Sequence, residues 1–160
     1  MSGLTDNLES IANQIRESFT AKDAVRERVL PLCREVIRHC GNAIRAVHRQ
    51  EFDQARELLK SARNLLTEAE QGISAYGELR YAGFVRDAQK EFAEGSITLA
   101  LVTGNRLPDP EALDIDAVAY LNGLGEAVGE LRRYLLDSMR RGNLSQGEEL
   151  LSAMDDIYNT

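Results

Sequence analysis

The sequence predicts an all-α fold, arranged as a single-domain bundle of antiparallel helices. Only three of its 160 residues are proline, whereas alanine, leucine, glutamate and arginine, which favour helices, are abundant. Apolar side chains recur every three or four residues along most of the chain, and no useful stretch alternates between apolar and polar residues as a half-buried strand would. The length fits one domain with its own core. We therefore expect one domain, residues 1–160, with six helices joined mostly by short turns.

The first half of the chain predicts three helices. The apolar residues of the first helix follow a 4-3-4-4 spacing, and they are Leu4, Leu8, Ile11, Ile15 and Phe19. A second predicted helix spans residues 23–49, and Pro31 inside it should kink the helix or mark its true start. After a short turn at residues 50–51, apolar positions at helical spacing over 52–73 predict the third helix.

The second half of the chain predicts three further helices. The fourth spans about 78–102, and it is followed by the one long connection, residues 103–115, which holds two of the three prolines. Asp116 is a suitable N-cap for the fifth helix, and the Gly-Asn pair at 142–143 should end it. A Ser-x-x-Glu capping box at residues 145–148 predicts the start of a last short helix.

Composition excludes several classes of protein. The net charge of −7 argues against a protein that coats nucleic acid through a basic surface, although a local basic stripe remains compatible with it. Cys33 and Cys40 lie two turns apart on one predicted helix, too far to form a disulfide, and are expected to be buried thiols of a reducing compartment. The amino terminus is polar, and no run of ~18 apolar residues exists. We expect a cytoplasmic protein, neither secreted nor membrane-spanning.

The second predicted helix carries a basic stripe on the side away from its apolar residues. Its members recur at helical spacing and are Arg34, Arg38, Arg45 and Arg49, with His48 beside the last. Gly41 falls between Arg38 and Arg45, where a missing side chain would let a phosphate backbone come close. Arginine is suited to bidentate contact with phosphate. A solvated helix face and ionic pairing with another subunit are the alternatives.

Two pairs of glutamates are candidates for metal binding. Glu91 and Glu94 share a face of the fourth predicted helix, and Glu126 and Glu130 share a face of the fifth. Like charges at these spacings repel unless a cation lies between them. If the two helices are neighbours, four carboxylates converge, and such oxygen ligands suit Mg²⁺ or Mn²⁺. A metal so held can activate water and stabilise the transition state of phosphodiester cleavage.

An ordinary solvent-facing helix is the alternative for the second pair, because Glu126 and Glu130 lie outside the predicted core. Three glycines in seven residues, however, stand close to this pair, at positions 123, 125 and 129. Each costs a helix ~1 kcal/mol relative to alanine, so they suggest close approach by a neighbouring backbone or a ligand. Gly95, next to Glu94, is similar. The sequence has no phosphate-binding loop and no Ser-His-Asp arrangement, and no nucleotide cofactor is expected.

Several segments together resemble the translin family. The run REVIRHCGNAIRAVHR, residues 34–49, resembles the basic helix of that family. The segment QKEFAEG, residues 89–95, is similar to the Glu-x-x-Glu of the translin-associated factor X (Trax) branch, which the translin branch lacks. The segment DAVAYLNGLGEAVGELRR, residues 116–133, resembles the family's Tyr-Leu-x-Gly stretch and its acidic doublet, and RGNL, 141–144, resembles the turn that follows. The resemblance covers about residues 5–160 and suggests an archaeal source.

The resemblance implies a fold, an assembly and an activity. Translin-family proteins are all-helical and assemble into closed, hollow oligomers, typically octamers. Their Trax-like subunits are Mg²⁺-dependent endoribonucleases whose acidic site faces the inside of the shell. By this resemblance Glu91, Glu94, Glu126 and Glu130 match the catalytic, metal-binding positions, with Glu126 replacing an aspartate common there. Family members usually continue into a further long helix, and by this resemblance we expect the domain of residues 1–160 to be without it.

The leading prediction is therefore a Mg²⁺-dependent endoribonuclease that forms a homo-oligomer, cuts single-stranded or short duplex RNA, and could also use Mn²⁺. The residues expected to hold nucleic-acid phosphates are Arg34, Arg38, Arg45, His48 and Arg49. One alternative is a non-catalytic scaffold that binds RNA or single-stranded DNA, as in the translin branch, and another is a plain helical interaction module. The two glutamate pairs separate the enzyme from the scaffold, and the arginine stripe separates both from the interaction module.

Overall fold

The computed structural model describes residues 3–160 and confirms the all-α prediction, with no strand among these residues. Met1 and Ser2, which the predicted domain includes, lie outside the described residues. A short 3-10 helix spans Gly77–Tyr81. The described α-helices are α1 (Leu8–His48), α2 (Phe52–Gly72), α3 (Gly83–Val102), α4 (Pro110–Leu113), α5 (Ala117–Arg140) and α6 (Gly147–Tyr158).

The first two predicted helices form one continuous helix, α1, of 41 residues. The prediction that a helix starts at Pro31 was wrong, because this residue lies within α1, on its exposed side. The alternative, a kink at Pro31, stays a prediction. Proline in a helix interior costs ~3 kcal/mol through a lost hydrogen bond and a steric clash. Val29, Cys33 and Val36, on the turns around Pro31, are all buried in the core, and their packing holds the helix together across it.

The long helices pack in sequence around one core. α1 packs on α2 and α3, α5 packs on α3, and α6 returns against α5. A three-residue turn joins α1 to α2, with Gln50 in the left-handed region, and so short a turn makes the two helices antiparallel neighbours. Cys33 and Cys40 are free thiols inside the core, as predicted, and burial raises the pKa of Cys33 to about 11.

The amino-terminal half of α1 extends beyond this core. At 1.5 Å per residue α1 is about 60 Å long, whereas α2 is about 30 Å, so α2 can cover only half of it. The apolar residues of the uncovered half share one face and remain exposed, and they are Leu8, Ile11, Ile15 and Phe19. No helix in the described part of the chain is long and apolar enough to cross a membrane.

The predicted long connection is an ordered segment that contains α4. The Asp109 side chain caps α4 by accepting a hydrogen bond from the Ala112 backbone N at 2.7 Å. The Tyr120 hydroxyl donates to the Pro108 carbonyl at 2.8 Å, and Arg63 donates to the Leu113 carbonyl at 3.0 Å. This segment is therefore anchored to α5 by Tyr120 and to α2 by Arg63.

The helix boundaries agree with the predictions at two places and differ at two. α5 ends at Arg140, and Gly142 follows in the left-handed region, as the Gly-Asn pair predicted. Asp116 caps α5, as predicted, by accepting from the Val118 backbone N at 3.0 Å. The predicted capping box does not form, because α6 begins at Gly147, two residues after Ser145, and no side chain caps it. The Ser145 hydroxyl instead donates to the Asn143 side chain at 2.8 Å. α3 begins at Gly83, after the 3-10 helix, and not near residue 78.

Candidate metal centre and nucleic-acid interface

Gly123 sets the contact between α3 and α5. A Cβ at this position would lie 2.6 Å from the Ala93 Cβ and 2.7 Å from the Lys90 carbonyl oxygen. Only a residue without a side chain allows the two backbones to approach this closely. Glu126 and Glu130 follow Gly123 by one and two turns, so the contact carries them to the glutamates of α3. The expectation of a close approach is correct at this glycine.

The other glycines near the site differ from Gly123. A Cβ at Gly95 would lie 3.0 Å from the Leu59 Cδ2, so this glycine allows α3 to pack closely on α2. Gly125 and Gly129 have no described atom within 4 Å of such a Cβ. Nothing in the described part of the chain requires glycine at these two positions.

Three of the four predicted glutamates converge. One carboxylate oxygen from each of Glu91, Glu94 and Glu126 lies within 4.8 Å of the other two. An octahedral ion with ligands at ~2.1 Å holds neighbouring oxygens ~3 Å apart and opposite oxygens ~4.2 Å apart. Small side-chain rotations would therefore bring these oxygens around one ion. Three hard carboxylate ligands on two rigid helices suit Mg²⁺ or Mn²⁺.

Glu94 carries the clearest electrostatic signature of the site. It is the buried member of the three, with 8% of its surface exposed. Burial, followed by the negative charges of Glu91, Glu126 and Glu130, raises its pKa to about 8. At neutral pH this carboxyl therefore holds a proton for most of the time, and a bound divalent cation would favour its ionised form.

Glu130 makes a contact that the sequence did not indicate. Its Oε2 lies 2.5 Å from the Nε2 of His48, and an ionised Glu130 accepts this hydrogen bond from Nε2–H. His48 is buried, so it does not lie with the exposed arginines, and its predicted place on the basic stripe was wrong. The reason is that His48 lies on the side of α1 that faces α5. Its Nδ1 has no partner among the described residues.

Lys90 is a residue of the site that was not predicted from the sequence. Its Nζ lies 3.0 Å from the Glu126 Oε1 and 3.4 Å from the Glu91 Oε1. The hydrogen bond to Glu126 is the main reason that the pKa of Lys90 is raised. The available signal was its position next to Glu91 in the sequence, but which way its side chain points depends on the packing of α5.

The four arginines of the stripe are exposed, three of them on α1 and Arg49 directly after its last residue. Arg38 pairs with Glu35, Arg45 donates to the Asn42 side chain at 2.7 Å, and Arg49 donates to Glu51 at 2.9 Å. Exposed pairs of this kind contribute little to stability, so a phosphate could replace these partners at small cost.

Gly41 leaves the surface between Arg38 and Arg45 open. A Cβ at this glycine would meet no described atom within 4 Å. The backbone of α1 can therefore be approached here from outside the bundle, as the sequence predicted for a phosphate-binding surface.

Comparison with known sequences finds a relative in an archaeon. An uncharacterised protein of Methanocaldococcus jannaschii is 31% identical over 148 residues, which cover 91% of this chain. The chain spans 65% of that protein's length. No protein-family model matches the sequence.

Comparison with solved structures finds proteins of the same fold. The crystal structure of AfC3PO is similar with a TM-score of 0.81 and 30% identity, covering 92% of this chain and 76% of that one. AfC3PO in complex with duplex RNA is similar with a TM-score of 0.79, at the same identity and coverage. Apo-NeC3PO has a TM-score of 0.75, covers 99% of this chain and 92% of its own, and at 17% identity indicates the fold alone.

Proposed function

Because the chain belongs to the translin superfamily, we propose that it is a Trax-like, Mg²⁺-dependent endoribonuclease. The observation that carries the proposal is the convergence of Glu91, Glu94 and Glu126 within 4.8 Å at the contact between α3 and α5. Oxygen ligands from two packed helices form a rigid set, which is what metal-assisted phosphodiester hydrolysis requires.

Each glutamate has its own part in this proposal. Glu91, Glu94 and Glu126 would hold the ion, which supplies an activated water and neutralises charge on the phosphate. Glu94 would release its proton as the ion binds, because burial and neighbouring charge keep it largely protonated otherwise. Glu130 would be the fourth acidic group, and its hydrogen bond with His48 fixes the orientation of its carboxylate.

The proposed substrate is RNA. AfC3PO, which is 30% identical, has been solved with duplex RNA. In a chain with a net charge of −7, binding of a polyanion needs a local basic surface. Arg34, Arg38, Arg45 and Arg49 provide one along α1, and we assign phosphate binding to these four residues and not to the buried His48.

We further propose that the chain self-associates into a closed homo-oligomer, with an octamer as the family expectation. The exposed apolar face of α1, formed by Leu8, Ile11, Ile15 and Phe19, supports this assembly. A second copy of the chain would bury that face. In such a shell a site outside the core of one subunit can line the inner wall.

A non-catalytic scaffold for RNA or single-stranded DNA is the second candidate, and Lys90 favours it. Its ammonium group already contacts Glu126 and Glu91, so part of the carboxylate charge is neutralised without a metal. The arginine stripe would serve a scaffold equally well. The convergence of three carboxylates, with Glu94 buried among them, favours the enzyme, because one lysine offsets only part of their mutual repulsion and a divalent cation would offset more.

Cleavage of a short, end-labelled RNA by the purified chain tests the proposal. We expect cleavage with Mg²⁺ or Mn²⁺ and none with excess EDTA. Intact RNA in Mg²⁺ and Mn²⁺, together with binding of RNA or single-stranded DNA, would reject the enzyme and support the scaffold. If the chain neither cleaves RNA nor binds RNA or single-stranded DNA, the helical interaction module is the remaining candidate.

A further inference from the structure

Lys90 contacts the same carboxylates that would bind the metal. Its Nζ lies 3.0 Å from an oxygen of Glu126 and 3.4 Å from an oxygen of Glu91. Both glutamates belong to the set of three whose oxygens converge within 4.8 Å. The lysine therefore brings a positive charge of its own to the candidate metal centre.

The position of Lys90 is fixed by the packing of α3 on α5. Its backbone carbonyl is the atom that a Cβ at Gly123 would meet at 2.7 Å, so the backbone of this residue lies directly against α5. Only 24% of its side chain is exposed. Lys90 is thus held between the two helices. Because part of its side chain is exposed, the ammonium group can rotate towards solvent.

An ammonium group and a divalent ion would compete for these carboxylates. A divalent ion would lie ~2.1 Å from each ligand oxygen. The ammonium group would then be a few ångströms from two further positive charges in a partly buried place, where repulsion is strong. Binding of the ion would therefore weaken the contacts of Lys90 with Glu126 and Glu91 and favour rotation of its side chain away from them.

We propose that Lys90 is a tethered cation that competes with the divalent ion for Glu91 and Glu126. The inference rests on the proposed function, because it takes these carboxylates to be metal ligands. Two consequences follow. The carboxylates are partly neutralised when no divalent ion is bound, and the concentration of ion needed to fill the site is raised.

Binding of Mn²⁺ to the 160-residue chain, measured by isothermal titration calorimetry without RNA, tests the inference. Lys90→Met removes the charge and keeps an unbranched side chain of similar length, and we expect it to lower the Kd for Mn²⁺ about tenfold. Lys90→Arg keeps the charge and should bind Mn²⁺ much as the wild type does. Lys60→Met, which removes an exposed lysine of α2, is the matched control and should change nothing.

A second measurement checks the role of Lys90 without the metal. In EDTA, Lys90→Met should melt at a lower temperature than Lys60→Met, because the carboxylates then repel one another without compensation. Unchanged or weaker Mn²⁺ binding by a folded Lys90→Met would overturn the competition and leave the metal centre in place. If neither the wild type nor Lys90→Met binds Mn²⁺, the metal centre itself is rejected.

Discussion

Glu94 is the residue at which burial and charge act together. Its carboxyl is the least exposed of the three that converge, and the negative charges of Glu91, Glu126 and Glu130 surround it. Both effects favour the protonated form, so its pKa is raised from 4.5 to about 8. A carboxyl in this state binds either a proton or a metal ion, which links pH, metal binding and stability at one residue.

The stability of the chain should therefore depend on pH through Glu94. Between pH 4.5 and about 8 the folded chain keeps a proton that the unfolded chain has released. The free energy of unfolding should fall as the pH rises through this window and level off above it. Urea unfolding in EDTA should show this fall in the wild type and a much smaller one in Glu94→Gln. Glu149→Gln, an exposed glutamate of α6, is the control, and equal slopes in all three proteins would contradict the assignment.

Arg38 provides the test of the basic stripe. Arg38→Ala should weaken RNA binding and lower the slope of log K against log salt concentration by about one, because one phosphate contact is lost. The melting temperature should barely change, since Arg38 is exposed. Arg56→Ala is a matched control, because Arg56 is also exposed and also pairs with an acid three residues away. Equal RNA affinity and equal salt slopes for both variants would show that the stripe is not part of the RNA-binding surface.

The helix pair α3 and α5 is the element that assembles the site. Their contact is closest at Gly123, where a side chain would overlap the Ala93 Cβ and the Lys90 carbonyl. Backbone atoms cannot move aside as a flexible side chain can, so the two helices would have to separate. Separation would also move Glu126 away from Glu91 and Glu94.

Gly123→Ala should therefore lower the free energy of unfolding by about 1–3 kcal/mol and weaken Mn²⁺ binding. Gly125→Ala is the control on the same helix, because no described atom lies within 4 Å of its added Cβ. Alanine there should raise stability by up to ~1 kcal/mol through its higher helix propensity. Denaturant unfolding and Mn²⁺ titration of both variants provide the measurement. Equal stability of the two would mean that the helices do not depend on this contact.

The helices could be predicted from the sequence where the spacing of apolar residues alone defines them. They were harder to predict where contacts between helices determine how far a helix extends. Apolar spacing placed α2 and α5 well, and Asp116 identified the start of α5. The sequence could not show that α1 continues through Pro31, because buried residues on the neighbouring turns stabilise it. The predicted capping box did not form, because Ser145 lies in the turn before α6, where it contacts Asn143, and the helix begins only at Gly147.

The candidate site was predictable in part for the same reason. The spacing of Glu91 with Glu94, and of Glu126 with Glu130, is visible along one helix at a time. The contacts of Lys90 with Glu126 and of His48 with Glu130 join residues of different helices. They depend on which faces α1, α3 and α5 turn towards each other, and a single sequence does not contain that information.

The whole molecule separates its charges in the way that the proposed function requires. Its net charge is −7, yet exposed arginines lie along α1 while the acidic groups converge between α3 and α5. The apolar face of the amino-terminal half of α1 remains exposed and suits association between subunits. In the proposed function the arginines bind RNA and a separate acidic centre cuts it. A single substitution can test whether these two roles are separate.

Glu126→Gln is that substitution, assayed for both RNA binding and RNA cleavage in Mg²⁺. It removes a metal ligand on the exposed side of the site, so we expect cleavage to be lost and the rise in melting temperature caused by Mg²⁺ to disappear. RNA should bind as tightly as before or more tightly, because a negative charge near the phosphates is gone. Glu149→Gln should behave as the wild type. Undiminished cleavage by Glu126→Gln would contradict the central claim that these carboxylates form the active centre.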